Sequence, residues 1–157
     1  MPSSHAIARG FFYKMCMPTF LDCVQAPSHW HSVDFVSDLH LQQDDAVWQA
    51  FVHYLQHTPA DAIFLLGDIF ELWVGDDILE STHGLFEQQV ASTLEAVSQS
   101  KALYILHGNR DFMLGDAFCQ QAGTQLLHDP CVLQWHDGTT RVLLSHGDAL
   151  CIDDHEY

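Results

Sequence analysis

The stretch AIFLLGD at residues 62–68 decides the fold. It is an unbroken apolar run closed by Gly-Asp, with no alternation of polar and apolar positions. A strand buried on both faces reads this way, and such strands belong to parallel sheets covered by helices. Working outward, the same punctuation recurs. VDFV at 33–36 runs into Ser37-Asp38-Leu39-His40, ALYIL at 102–106 into His107-Gly108-Asn109-Arg110-Asp111, and VLL at 142–144 into Ser145-His146-Gly147-Asp148. Helical spacing fills the gaps. Val47, Ala50, Phe51, Tyr54 and Leu55 share a face, with Asp44 or Asp45 as the cap and Thr58-Pro59 as the stop. Phe86, Val90, Leu94 and Val97 predict a second helix over 84–100. A short third helix over 116–121 ends at Gly123. Cys131 to Trp135 and Arg141 to Leu144 read as a hairpin around Asp137-Gly138. The fold class is α/β, with β-sheets flanked by helices.

Residues 1–30 carry Pro2, Pro18 and Pro27 and no clear period. They are expected to form a loose extension, with Met15 and Met17 as alternative starts, and residues 31–157 the domain proper. Apolar residues make up 48% of the 157-residue chain, enough for a real core. Five Lys and Arg stand against 21 Asp and Glu, a formal charge of −16. No basic stripe can neutralise phosphates, which argues against nucleic acid as a partner. An anionic substrate stays compatible where metal ions reverse the local sign. The five cysteines form no Cys-x-x-Cys pair and read as reduced thiols of a cytoplasmic protein. No apolar run approaches the ~20 residues of a membrane-spanning helix.

In open α/β sheets, ligands gather outside the carboxyl ends of the strands. Asp38, His40, Asp68, Asn109 and His146 all follow strands, so they are expected to converge despite their separation in sequence. Asp38 and His40, two residues apart, can face one way on a continuing strand and clamp one ion. Asp68, behind a glycine, can approach two ions. Asn109 offers a carbonyl oxygen and His146 a ring nitrogen. Mixed oxygen and imidazole donors suit Mn²⁺, Fe²⁺ or Zn²⁺ better than Ca²⁺. Two ions ~3.5–4 Å apart can clamp a phosphoryl oxygen and activate a water, which suits in-line attack at phosphorus. Each motif alone is ordinary turn chemistry; their succession at strand ends carries the reading. Asp111 reads as a support for the metal loop or as a helix cap. Phe70 and Trp73 read as packing, Asp76 and Asp77 as a solvated turn, and His107 as a partner for a backbone group.

Ser-Asp-Leu-His, Gly-Asp, Gly-Asn and Ser-His-Gly-Asp, in this order, resemble the calcineurin-like metallophosphoesterases. The longer blocks, residues 67–77, 108–112 and 146–154, are similar to the UDP-2,3-diacylglucosamine diphosphatase family of lipid A synthesis. Arg110 follows Gly-Asn where many members of the superfamily have histidine. The resemblance implies a metallophosphoesterase sandwich and hydrolysis of the diphosphate to UMP and 2,3-diacylglucosamine 1-phosphate. It implies two divalent ions, most simply Mn²⁺, held by Asp38, His40, Asp68, Asn109 and His146, with Asp68 bridging. It implies catalytic roles for Asn109, Arg110 and His146. Asn109, Arg110 and Asp154 would contact the substrate, a UDP-linked diacylglucosamine lipid. It also implies a cytoplasmic protein peripheral to the inner membrane.

The superfamily completes its metal site with a later Gly-His-x-His block, which has no counterpart before Tyr157. The fold is therefore expected to be incomplete at the C-terminus, with an apolar face open and little turnover by this chain alone. Two other readings stay open: a metallophosphoesterase acting on another nucleotide or phosphate ester, and a truncated, non-catalytic metal-binding module.

Overall fold

Ala62, Ile63, Phe64 and Leu65 have no solvent exposure, because they form the central strand of a sheet covered on both faces. The computed structural model describes residues 21–43 and 45–150. Strands β2 (Val33–Val36), β3 (Ala62–Leu66), β4 (Ala102–Leu106) and β5 (Gln125–Leu126) form a parallel sheet in the order β2-β3-β4-β5. Val33, Ala62 and Ala102 stand in register across it, so β2, β3 and β4 end at one level.

Helices α1 (Ala46–His57), α2 (Leu85–Ser98) and α3 (Asp116–Ala122) are the three α-helices among the described residues. They contribute Phe51, Val90, Leu94 and Phe118 to one core, against Ile63, Leu65 and Ile105. Asp45 caps α1, accepting from Val47 N at 3.1 Å. The buried stripe of α1 is Trp48, Phe51 and Leu55. Val47, expected on that face, is exposed, because i, i+3 and i+7 from Trp48 define the inner line.

The opposite face, with Ala62, Phe64 and Leu106, packs on a second sheet. This sheet runs β1 (Asp22–Gln25), β6 (Cys131–Gln134) and β7 (Arg141–Leu144), with β1 parallel and β7 antiparallel to β6. Val24, Trp30, Cys131, Leu133 and Leu144 fill the space between the sheets. The α/β sandwich expected from the sequence is the architecture observed, and the hairpin lies where it was expected. At the edges, Phe35 on β2 and Val142 on β7 keep 44% and 39% exposure although each shares a face with buried neighbours.

The expected loose extension is corrected over residues 22–30. Asp22 to Gln25 pair with Cys131 to Gln134, and Trp30 is buried with its ring edge-on to Tyr104 at 6.3 Å. A four-residue strand shows no period of its own. It exists because a partner more than a hundred residues away supplies the hydrogen bonds. Residues 1–20 lie outside the described residues.

Candidate metal centre

The loops leaving β2 and β3 travel together past the end of the sheet. Asp38 N donates to Gly67 O (3.1 Å), His40 N to Asp68 O (3.0 Å) and Leu41 N to Ile69 O (2.8 Å). Asp38, His40 and Asp68 have φ of 54°, 47° and 52°, left-handed values that non-glycine residues seldom adopt. Matched kinks, not a continuing strand, therefore bring Asp38 and His40 together. Each kink costs about 1–3 kcal/mol, and such strain concentrates where side chains must be aimed.

The glycines of the two central motifs have one steric explanation. A Cβ on Gly67 would fall 2.6 Å from Gly108 N, and Gly67 itself has φ 89°. A Cβ on Gly108 would enter the Asp68 carboxylate. Bare backbone on both sides lets the β3 and β4 loops touch. Asp111, fully buried, then ties them together. Its carboxylate accepts from Asp68 N (3.2 Å), Ile69 N (2.7 Å), Phe70 N (3.4 Å) and Gly108 N (2.8 Å). The Asp111 carboxylate thus joins the β3 and β4 loops.

Asp68 is the hub, 4% exposed. One donor atom each from Asp38, His40 and Asp68 lies within 4.8 Å of the others. Asp68 Oδ2 stands 3.9 Å from His40 Nε2 and 3.7 Å from His146 Nε2. Donors sharing an ion with bonds of about 2.1 Å stand roughly 3–4 Å apart, so these spacings fit a cation. His146 Nδ1 lies 2.8 Å from Leu66 O, which can only accept, so Nδ1 carries the hydrogen and Nε2 is aimed at Asp68. Burial disfavours the charged His146 ring. The Leu66 carbonyl and the carboxylates of Asp68, Asp148 and Asp38 outweigh it and hold the pKa above the ordinary histidine value.

The near end of the Asn109 amide lies 2.7 Å from Asp68 Oδ2 and 3.0 Å from Oδ1. With nitrogen there it donates to both oxygens; with oxygen there, a cation reconciles the three. Oxygen and imidazole donors around a buried carboxylate thus fit divalent metal ions. Arg110 N donates to Asp68 Oδ1 at 2.8 Å, and its guanidinium, half exposed, sits 3.1 Å from Glu71 Oε1.

All five ligand candidates therefore meet at one end of the parallel sheet, with Arg110 beside them. Asp154 lies outside the described residues. Phe70 and Trp73 are buried packing, and His107 Nε2 meets Leu114 O at 2.6 Å, as expected. Asp76 is not in a solvated turn. It accepts from Trp73 Nε1, Gly115 N, Ala117 N and Phe118 N, so it holds the start of α3. Two acidic groups at the site escaped the sequence reading. Glu71 Oε2 lies 3.1 Å from His40 Nδ1, and Asp148 Oδ1 lies 3.6 Å from His146 Nε2. Their signal was proximity to Asp68 and His146 in sequence, which surface acids share.

Residues 31–156 match the family described as calcineurin-like phosphoesterase. The chain is 47% identical over 127 residues to a UDP-2,3-diacylglucosamine hydrolase of Aeromonas hydrophila, covering 78% of this chain and 50% of that one. It is 44% identical over 126 residues to the enzyme of that name from Stutzerimonas stutzeri, with the same coverage. For the Coxiella burnetii protein of that name the identity is 40% over 126 residues, covering 78% and 49%. The chain spans about half the length of these curated relatives. With residues 31–156 matched, and the aspartates, histidines and asparagine gathered where β2, β3, β4 and β7 end, the chain belongs to the calcineurin-like phosphoesterase family.

Proposed function

We propose that this chain carries metal-binding residues of a hydrolase that cleaves the diphosphate of UDP-2,3-diacylglucosamine, giving UMP and 2,3-diacylglucosamine 1-phosphate for lipid A. The single observation that carries this reading is the convergence of Asp38, His40, Asn109 and His146 on the buried Asp68 carboxylate. Asp38 and His40 would hold one divalent ion, Asn109 and His146 a second, and Asp68 both, with Mn²⁺ the proposed metal. When bound, such ions supply Lewis-acid polarisation of the phosphoryl group and an activated water.

The chain's own residues do the rest. The Asp111 clamp and the Leu66 carbonyl fix the donors before substrate arrives, so orientation is not bought at the moment of reaction. His146 Nε2 faces the hub, where its hydrogen-bonded ring keeps one direction. Asn109 and Arg110 follow β4 side by side and can reach a phosphoryl oxygen at the site's rim. The Arg110 fork matches the geometry of phosphoryl oxygens. Asp154 is proposed to contact the substrate.

An acylated substrate also needs apolar surface. Leu72, Val74, Phe112 and Met113 are 50–65% exposed on the two loops that carry Glu71 and Arg110. Trp73 N, donating to Arg110 O at 3.1 Å, holds those loops together. This surface favours a lipid nucleotide over a simple phosphate ester. Among the described residues no helix is long and apolar enough to cross a membrane. Peripheral association with the cytoplasmic face of the inner membrane is the placement we propose.

The test is UMP release by the protein as its host makes it, with Mn²⁺ and after chelation. We expect metal-dependent cleavage of the lipid nucleotide far above that of nitrophenyl phosphates. Equal rates on both, or release that survives chelation, would overturn the reading.

A further inference from the structure

Glu71 lies outside the strand-end motifs, three residues beyond Asp68. Its carboxylate touches two arms of the site at once. Oε1 accepts from Arg110 Nη1 at 3.1 Å, and Oε2 lies 3.1 Å from His40 Nδ1. That nitrogen is buried and makes no hydrogen bond, so the carboxylate 3.1 Å away acts on it through its charge. The other His40 nitrogen, Nε2, faces Asp68 Oδ2 at 3.9 Å. The donor group that fits a metal ion comprises Asp38, His40 and Asp68, and Glu71 is outside it.

A neutral imidazole has one N–H and one lone pair, and the acceptor beside one nitrogen decides which is which. With a carboxylate next to Nδ1, the hydrogen belongs there and the lone pair is left on Nε2. The opposite tautomer would set a lone pair against Glu71 and an N–H toward Asp68, closing Nε2 to a cation. Carboxylates behind metal-binding histidines act in this way, fixing ring and tautomer. Arg110 holds the other Glu71 oxygen, and Arg110 N is itself anchored on Asp68 Oδ1 at 2.8 Å. The carboxylate is thereby steered from both ends.

We propose that Glu71 is a positioning residue that keeps the hydrogen of His40 on Nδ1 and so presents Nε2 to a divalent cation beside Asp68. The assignment rests on the metallohydrolase reading, but its test is separate from turnover. Glu71 is a partly exposed loop residue, so Glu71→Ala and Glu71→Gln should fold, which circular dichroism checks.

Nitrogen-15 NMR of the metal-free chain, at a pH where the ring is neutral, reads the tautomer. Equilibrium dialysis against Mn²⁺ reads affinity. In the unaltered chain the hydrogen is expected on Nδ1. In E71A it moves toward Nε2 and Mn²⁺ binding weakens about 10–100-fold. E71Q, which keeps an amide oxygen for Nδ1, recovers most of both. An E71A chain with the unaltered tautomer, or with Mn²⁺ affinity within about twofold of the unaltered chain, overturns the proposal. If the unaltered chain binds no Mn²⁺, the metallohydrolase reading fails, and the tautomer comparison still decides the role of Glu71.

Discussion

The Asp111 carboxylate takes its hydrogen bonds from both central loops, and its removal tests whether the site is built before any ligand arrives. Asp111→Asn replaces one acceptor oxygen with an NH₂ group facing backbone N–H donors. Buried unsatisfied donors cost about 1–3 kcal/mol each, so a loss of roughly 3 kcal/mol in urea unfolding is expected. Mn²⁺ affinity should fall about 10–100-fold even under conditions where the variant is folded. Unchanged metal binding would show that the loops hold their places without the clamp. At this scale the sequence was readable where a residue type sits in a punctuated position. Asp38, Asp68, Asn109 and His146 each follow an apolar run. Glu71 and Asp76 were not readable, because their partners are set by folding. Asp76 reaches Gly115 N and Phe118 N, on α3 and just before it, across a loop that shows no pattern.

Between elements, contact depends on what is missing from glycine. Gly67→Ala puts a methyl group against the Gly108 backbone at a φ of 89°, where neither side can yield cheaply. A cost of about 1–3 kcal/mol is expected, with weaker metal binding as the loops part; a thermal melt and dialysis against Mn²⁺ read the two effects. The hairpin offers a pH test. Asp137 accepts from Thr140 N, from the Thr140 hydroxyl and from Thr139 N, and these bonds lower its pKa from 3.8 to about 2. A lowered folded-state pKa gives stability that is present above the unfolded value of 3.8 and lost as pH falls through about 2. Asp137→Ala should therefore melt below the unaltered chain near neutral pH, and the gap should close in strong acid. A gap that persists at the lowest pH would assign the effect to turn geometry instead. The β6–β7 hairpin was legible because Asp-Gly sits between two apolar runs. β1 and β5, only four and two residues long, were not, since their pairing is entirely long-range.

Across the whole molecule, a formal charge of −16 presses against compactness, and the site adds to it by drawing Asp38 and Asp68 together among the acids of Glu71 and Asp148. Any cation relieves the general repulsion, but only an ion held at Asp68 relieves the local one. Sodium chloride and Mn²⁺ at matched ionic strength separate the two effects. A cation that binds only the folded chain, at about 100 times its dissociation constant, stabilises it by about 2.7 kcal/mol. For a domain of this size that raises the melting midpoint by roughly 8 °C beyond the salt effect. In Asp68→Ala the excess should vanish while the response to sodium chloride remains, since one charge among many has been removed. If Mn²⁺ and matched sodium chloride raise the midpoint equally in the unaltered chain, the acids at the sheet's end form a repulsive patch without a specific ion. The convergence of Asp38, His40, Asp68 and His146 would then have to be explained without metal.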